Sequence, residues 1–293
     1  MQKVVCYGEV LWDRLPSGKK PGGAPMNVAL HLKKHGIESR LISSIGRDEN
    51  GLELKSFLLS QGLSTRDVQE HPTLPTGIVD VHLDQSQQAT YSIVKPVAWD
   101  EIVYQQAFTD LICDSDALVF GSLASRSPIS YNTLITLLQD VRLAIFDMNL
   151  RPPHFEKAVI EQLIRRCDIL KINEHELDYL EESFQLEAGD IENNLRKLSD
   201  LTGTNTICIT LGDKGAVVLH DSAIYKHKGF SVEVADTVGA GDAFLAAFIS
   251  GFLRGTPMTQ ILLEACATGA LVASRAGANP GYNISEVREI GNF

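Results

Sequence analysis

The order of its elements constrains this chain more than any other feature. Short β-branched runs alternate with longer helical patterns along nearly all of its 293 residues. "KVVCYGEV" (3–10), "SRLISSIG" (39–46), "ALVFGS" (117–122), "LAIFDMNL" (143–150), "DILKIN" (168–173) and "TICITLG" (206–212) read as strands. Most are apolar on both faces, as strands covered on two sides must be. Between them, segments such as "PISYNTLITLLQDV" and "HFEKAVIEQLIRRC" carry apolar residues three and four apart and read as helices. Alternating β and α elements with buried strands predict an α/β fold, a parallel sheet with helices on both faces. Length alone allows one large domain or two modest ones, and no fixed-period repeat or low-complexity linker divides the chain.

One stretch breaks the rhythm. From 76 to 94, "TGIVDVHLDQSQQATYSIV" reads as two alternating strands joined by a polar turn. Alternation predicts a half-exposed antiparallel hairpin, either an edge ornament or a cover over a site.

Charge and cysteine usage narrow the function classes. A formal net charge of −11 argues against a nucleic-acid surface, which needs clustered Lys and Arg. The basic pairs Lys19–Lys20, Lys33–Lys34 and Arg165–Arg166 are short and read as solvated faces. Cys6, Cys113, Cys167, Cys208 and Cys266 are scattered and never form a C-x-x-C pair, which predicts a reducing compartment and no structural metal. The N-terminus lacks a basic region followed by an apolar one, and no apolar run reaches membrane-spanning length. The expectation is a soluble, cytoplasmic protein with neither nucleic acid nor membrane as partner.

The most informative segment is "ADTVGAGDAFLAAFISGFLRG" (235–255), where a lone carboxylate, Asp242, precedes an almost uncharged helical run. Gly239 and Gly241 permit tight backbone angles and close approach, and Gly239–Asp242 forms the first turn of the helix. A helix N-terminus offers unpaired N–H groups and a positive dipole end, which hold an anion and favour the charged form of an aspartate. Phosphoryl transfer uses that combination, with donors neutralising the moving group and a carboxylate taking the proton of the attacking hydroxyl. Alone, Asp242 reads more readily as a helix cap, since acidic residues are common in first helical turns. There is no G-x-x-x-x-G-K-[ST] loop, and Phe244 occupies the place of the third glycine in a dinucleotide fingerprint.

"DTVGAGDAF" (236–244) resembles the C-terminal signature of the ribokinase-like sugar kinases, the PfkB family. The resemblance implies a three-layer α/β/α fold with a mostly parallel central sheet and a small β-sheet lid. It implies ATP-dependent phosphorylation of a sugar hydroxyl, with Asp242 as catalytic base and Gly239, Ala240 and Gly241 as anion hole. Its motifs run in family order from Gly8 to about Gly281, so 1–293 is expected to be one kinase domain, with a lid formed by about 11–21 and 76–98.

The remaining motifs each carry a plainer reading as well. "GEVLWDRLPSGKKPGGAPMNVALHLKKHG" (8–36) is a glycine turn feeding a helix. Its G-E-x-L-x-D and G-G-A-P-x-N elements resemble those of fructokinases, which implies sugar contacts from Asp13, Gly22, Gly23 and Asn27. In "LAIFDMNLRPPHF" the alternation places Asp147, Asn149 and Arg151 on one face of an extended segment, at the strand end where open α/β sheets bind ligands. The family resemblance puts this D-x-N-x-R in the cleft, with Asn149 and Arg151 toward substrate. "KINEHELDYL" (171–180) reads as a capping box with Asn173 as cap and Glu176 three residues on; in the family N-x-x-E organises Mg²⁺ and its waters. "ITLGDKGAVV" (209–218) is a hairpin, and the family sets the equivalent loop against ATP, which implies nucleotide contacts from Thr210, Gly212 and Gly215, beside Asn173 and Gly241.

"EACATGALVASRAGANPGY" (264–282) matches the family's adenine and monovalent-cation region. Cys266 departs from the side chain with which many relatives reach adenine. Asp236 with the backbone of Val238, Val272, Arg275 and Gly277 could form a potassium site. Trp99, leaving the lid, could be an apolar wall, a hinge or core. His71, His82 and His175 show no metal spacing and read as surface residues. The resemblance also admits a homodimer through the lid. Fructose is the expected sugar and fructose 6-phosphate the product. The alternatives are 2-keto-3-deoxygluconate, ribose or another sugar, and a catalytically silent sugar or nucleotide sensor on the same fold.

Overall fold

A computed structural model of the protein describes residues 1–15, 18–83 and 89–292. The strands in its first half are β1 (Lys3–Tyr7), β2 (Leu11–Leu15), β3 (Gly18–Gly22), β4 (Glu38–Gly46), β5 (Val68–His71), β6 (Gly77–Leu83) and β7 (Ala89–Ile93). They are followed by β8 (Ala117–Gly121), β9 (Ala144–Asp147), β10 (Ile169–Asn173), β11 (Thr206–Thr210), β12 (Ala216–His220) and β13 (Ala223–His227). Helices α1 (Ala24–Lys34), α2 (Glu49–Ser60), α3 (Gln106–Cys113), α4 (Pro128–Leu137) and α5 (Lys157–Ile164) are interspersed with them. Then come α6 (Glu174–Phe184), α7 (Ile191–Thr202), α8 (Ala240–Leu253), α9 (Met258–Ala273) and α10 (Ile284–Gly291).

Nine strands form the main sheet in the order β13-β12-β11-β10-β9-β8-β1-β4-β5. Neighbours from β11 to β5 run parallel, and β12 and β13 close that edge antiparallel. All six expected strands are present. Their side chains alternate between two apolar layers. Val4 and Cys6 of β1 face α1, α2, α8 and α9, while Val5 and Tyr7 face α3 to α7. Helix α8 is buried from Ala243 to Gly251 between its neighbours and the sheet, which is why its sequence is nearly uncharged.

A second sheet stands apart, in the order β3-β2-β6-β7. The expected hairpin pairs antiparallel, with Val79 opposite Ile93, and β6 also runs parallel to β2. The turn expected between them, 84–88, and the side chain of His82 lie outside the described residues. Leu11 and Val79 pack on each other within the small sheet, which meets the main body through Trp12, buried with the α1 and α2 layer and donating from Nε1 to the Asn50 carbonyl at 2.9 Å.

Trp99 is core: it is fully buried, and the Arg126 guanidinium lies 4.1 Å over its ring. Arg126 also clasps Asp100 through Nε and Nη2 at 2.7 and 2.9 Å and donates to the Val94 carbonyl at 2.7 Å. It therefore ties down the segment by which the small sheet rejoins the body. His71 is half-buried rather than a surface residue. Its Nε2 meets Glu101 at 2.9 Å, and its Nδ1 accepts from the Leu74 N–H at 2.8 Å. His175 is exposed as expected. All five cysteines are free, and only Cys113 is exposed.

Candidate active site

The signature residues gather at the C-terminal ends of the parallel strands. Helix α8 begins at Ala240 behind Gly239, whose φ of 80° lies in the left-handed region that glycine favours. A Cβ on Gly239 would stand 2.5 Å from the Ala278 carbonyl oxygen, so the loop after α9 packs directly on this turn. No side chain caps α8. The Ala240 N–H, expected in the anion hole with those of Gly239 and Gly241, donates instead to the Thr237 carbonyl at 3.3 Å, while those of Gly241 and Asp242 have no acceptor among the described residues.

Asp242 sits in that first turn, half-buried, and its Oδ2 accepts a hydrogen bond from Asn27 Nδ2 at 2.8 Å. Burial, and then the Asp147 carboxylate, push Asp242 up to about 6, against the Asn27 hydrogen bond and the charges of Lys171 and Arg151. Burial thus opposes the favour that the helix end gives to the charged form.

Asp13 lies on β2 and Asn27 on α1, joined through β3 and the Gly22–Gly23 turn. A Cβ on Gly22 would come within 2.3 Å of Asp13 Oδ2, so glycine here keeps the space that Asp13 occupies. Burial raises Asp13 to about 6. Glu9, missed in the sequence beyond its place in the motif, is 3% exposed, with Oε2 lacking a partner among the described residues. Burial lifts it to about 7.

The D-x-N-x-R segment departs from expectation. Strand β9 ends at Asp147, and Asn149 turns through a φ of 40°, so the three side chains do not share one extended face. Asp147 points down to Lys171, with Oδ1 and Nζ 2.8 Å apart and both side chains buried. Arg151 is exposed; its charge reaches Asp242, Glu9 and Asp13, but among the described residues its guanidinium donates only to the Leu150 carbonyl.

Lys171 is the residue that sequence reading missed most clearly. Its Nζ lies 3.5 Å from where a side chain on Gly241 would begin, and its charge faces the carboxylates of Asp147, Glu176 and Asp242. Asn279 is another: its Nδ2 donates to Asn27 Oδ1 at 2.6 Å.

Asn173 and Glu176 form the expected capping box at α6, with bonds of 3.0 and 2.9 Å, and Glu176 Oε1 also accepts from the Leu150 N–H at 2.8 Å. Both oxygens of Glu176 are therefore engaged by backbone. Among the described residues no three His, Cys, Asp or Glu side chains stand together as a metal cage. This donor set fits an ion that arrives on phosphate groups and meets Asn173 and Glu176 through water. Thr210 lies opposite Asn173 on β11, and Gly212 and Gly215 turn the loop to β12. Asp236 accepts from the Val238 N–H and the Gly277 N–H, both at 3.0 Å, which draws 236–238 against 272–277.

A family model described as pfkB family carbohydrate kinase matches residues 1–284. The chain belongs to this family. The fructokinase of Escherichia coli is 28% identical over 303 residues, spanning 94% of each chain. An ATP-dependent 6-phosphofructokinase of Thermoanaerobacterium thermosaccharolyticum is 30% identical over 300 residues, covering 94% of this chain and 89% of that one. A fructokinase from Xylella fastidiosa, solved with bound ATP, is 22% identical and superposes with a TM-score of 0.87 over 98% of this chain and 97% of its own. That superposition establishes the three-layer architecture as the family's. Among the described residues, no helix of this carbohydrate kinase is long and apolar enough to cross a membrane.

Proposed function

We propose that this carbohydrate kinase transfers the γ-phosphoryl group of ATP to a primary hydroxyl of fructose, with Asp242 as general base. The observation that carries the reading is the placement of Asp242 in an uncapped helix turn, with Asn27 oriented on its carboxylate. Asp242 takes the hydroxyl proton as the sugar oxygen forms its bond to the γ-phosphorus. The bond from that phosphorus to the bridging oxygen breaks, and ADP leaves. The N–H groups of Gly241 and Asp242 receive the equatorial oxygens, and Lys171 beneath them offsets the accumulating negative charge. Asn173 and Glu176 would hold Mg²⁺, through water, and the ion would supply further charge neutralisation.

In this reading the sheet β3-β2-β6-β7 is a lid. Asp13, Gly22, Gly23 and Asn27 hold the sugar beneath it, with Asn149 and Arg151 at the phosphoryl end. Excluding water from such a site protects ATP from hydrolysis. Thr210, Gly212 and Gly215 line the nucleotide. Potassium, if used, would bind where Asp236 meets Gly277 and draw on the carbonyls of Val238, Val272 and Arg275.

The relatives' names support a sugar acceptor of the fructose type, free or phosphorylated. Specificity turns on few contacts. The test is ATP turnover by coupled ADP release with fructose, fructose 6-phosphate, ribose, 2-keto-3-deoxygluconate and no sugar, with and without potassium. Fructose giving the highest kcat/KM upholds the proposal. A different winner keeps the base chemistry and replaces the sugar. ATP binding without turnover on any acceptor favours a sensor.

A further inference from the structure

The catalytic reading leaves unexplained how the Asn27 amide is made to present its nitrogen rather than its oxygen to Asp242. An asparagine has one accepting and one donating end, and the two are nearly identical in shape. Facing Asp242 with the oxygen would set two acceptors against each other. Asn27 is 5% exposed, so water is not at hand to arbitrate.

We infer that Asn279 is a positioning residue for the base: by donating to Asn27 Oδ1 it fixes the amide so that Nδ2 meets the Asp242 carboxylate. The two bonds run in series, Asn279 Nδ2 to Asn27 Oδ1 at 2.6 Å and Asn27 Nδ2 to Asp242 Oδ2 at 2.8 Å. The arrangement has a cost that marks its direction. Asn279 Oδ1 is left buried and without a partner among the described residues. A buried acceptor left unpaired is unfavourable, and turning Asn279 over would put its oxygen against Asn27 Oδ1. The donating orientation persists because the second bond of the series depends on it.

Asn279 is itself held in place. The neighbouring Ala278 carbonyl meets His31 Nε2 at 2.9 Å, and the Pro280 carbonyl accepts from Lys34 Nζ at 2.8 Å. Burial drives His31 down to about 3, so it stays neutral. Its Nε2–H then donates to Ala278, and Nδ1 accepts from the Tyr282 hydroxyl at 2.9 Å. The same Ala278 carbonyl abuts Gly239. The 278–282 loop thus registers α1 against the first turn of α8, with Asn279 as the contact that reaches the base.

This inference rests on Asp242 being the base, and the experiment separates the two. Asn279→Ala, Asn27→Ala and their double mutant are compared with wild type for kcat, KM, thermal midpoint and the pH dependence of kcat/KM. The acceptor is fructose, or whichever sugar of the panel above turns over fastest. Asn279→Ala is expected to lower kcat about tenfold, the scale of a lost hydrogen bond to a charged group, with KM for ATP and the thermal midpoint unchanged. The acid limb moves to higher pH, because a loosened Asn27 donates less to Asp242. The charged groups facing Asp242, namely Asp147 on β9, Arg151 after it, Lys171 on β10 and Glu9 before β2, are unaltered in this variant.

The double mutant is expected to match Asn27→Ala alone, since Asn279 then has nothing to orient. Asn279→Asp, equal in shape but unable to donate, should be slower than Asn279→Ala. Wild-type kcat and pH limb in Asn279→Ala, or a loss that simply adds to that of Asn27→Ala, overturns the inference. If Asp242→Asn also retains wild-type turnover, the base assignment fails with it; if Asp242→Asn is inactive, only the role of Asn279 falls.

Discussion

Lys171 Nζ lies 2.8 Å from Asp147 Oδ1 across neighbouring parallel strands, with the two side chains only 8% and 5% exposed. The charges of Asp147, Glu176 and Asp242 together hold this lysine well above its ordinary value despite burial. Removing one partner of a buried pair strands the other. Lys171→Met is therefore expected to lose about 3–5 kcal/mol of stability, read by urea or thermal unfolding. The neutral pair Asp147→Asn with Lys171→Met should recover most of that loss yet remain slow, because the cation beneath Gly241 is still missing. Full recovery of turnover would mean that the pair serves only the fold.

Gly239 offers a second test. Its φ of 80° and the Ala278 carbonyl 2.5 Å from any added Cβ leave no room for a side chain. Gly239→Ala should cost about 1–3 kcal/mol and displace the start of α8. Turnover is expected to fall at least tenfold while far-ultraviolet circular dichroism stays native. An unchanged kcat would remove this turn from the phosphoryl site.

The raised position of Asp242 sets a pH dependence in two observables. Activity should rise with pH through about 6 as the base ionises. Stability runs the other way. The folded value of about 6 lies above the ordinary 3.8, so the contribution of Asp242 is fully present below about 3.8 and lost as pH rises through about 6. Asp242→Asn removes that loss, and should melt at least about 5 °C above wild type at pH 8 while nearly matching it at pH 4. Equal midpoints at both pH values would show that burial does not disfavour the charge.

Arg126 tests the lid. Its two bonds to Asp100 and one to the Val94 carbonyl secure the return from β7. Arg126→Met is expected to cost about 3 kcal/mol and to raise KM for the sugar more than it lowers kcat. A stable variant with unaltered KM would separate this anchor from lid closure.

The strands and the Asp242 turn were legible because they are local: apolar alternation and a glycine-flanked carboxylate are written in consecutive residues. The Asn173–Glu176 box was legible for the same reason. What sequence could not show is pairing at a distance. Lys171, in an apolar strand, meets an aspartate 24 positions away, and Asn279 meets a side chain 252 positions away. Asp147, Asn149 and Arg151 misled because alternation was carried past the end of β9, where Asn149 enters the left-handed region. The upward push on Asp242 was not legible, because the helix end is visible in sequence and the depth of burial is not.

The measurement that tests the central claim most directly is turnover by Asp242→Asn beside its affinity for ATP. General-base loss predicts a fall of about 10²–10⁴-fold in kcat, with the dissociation constant for ATP within a factor of about two of wild type. Turnover near the wild-type rate would contradict the account, because no other carboxylate stands in the first turn of α8.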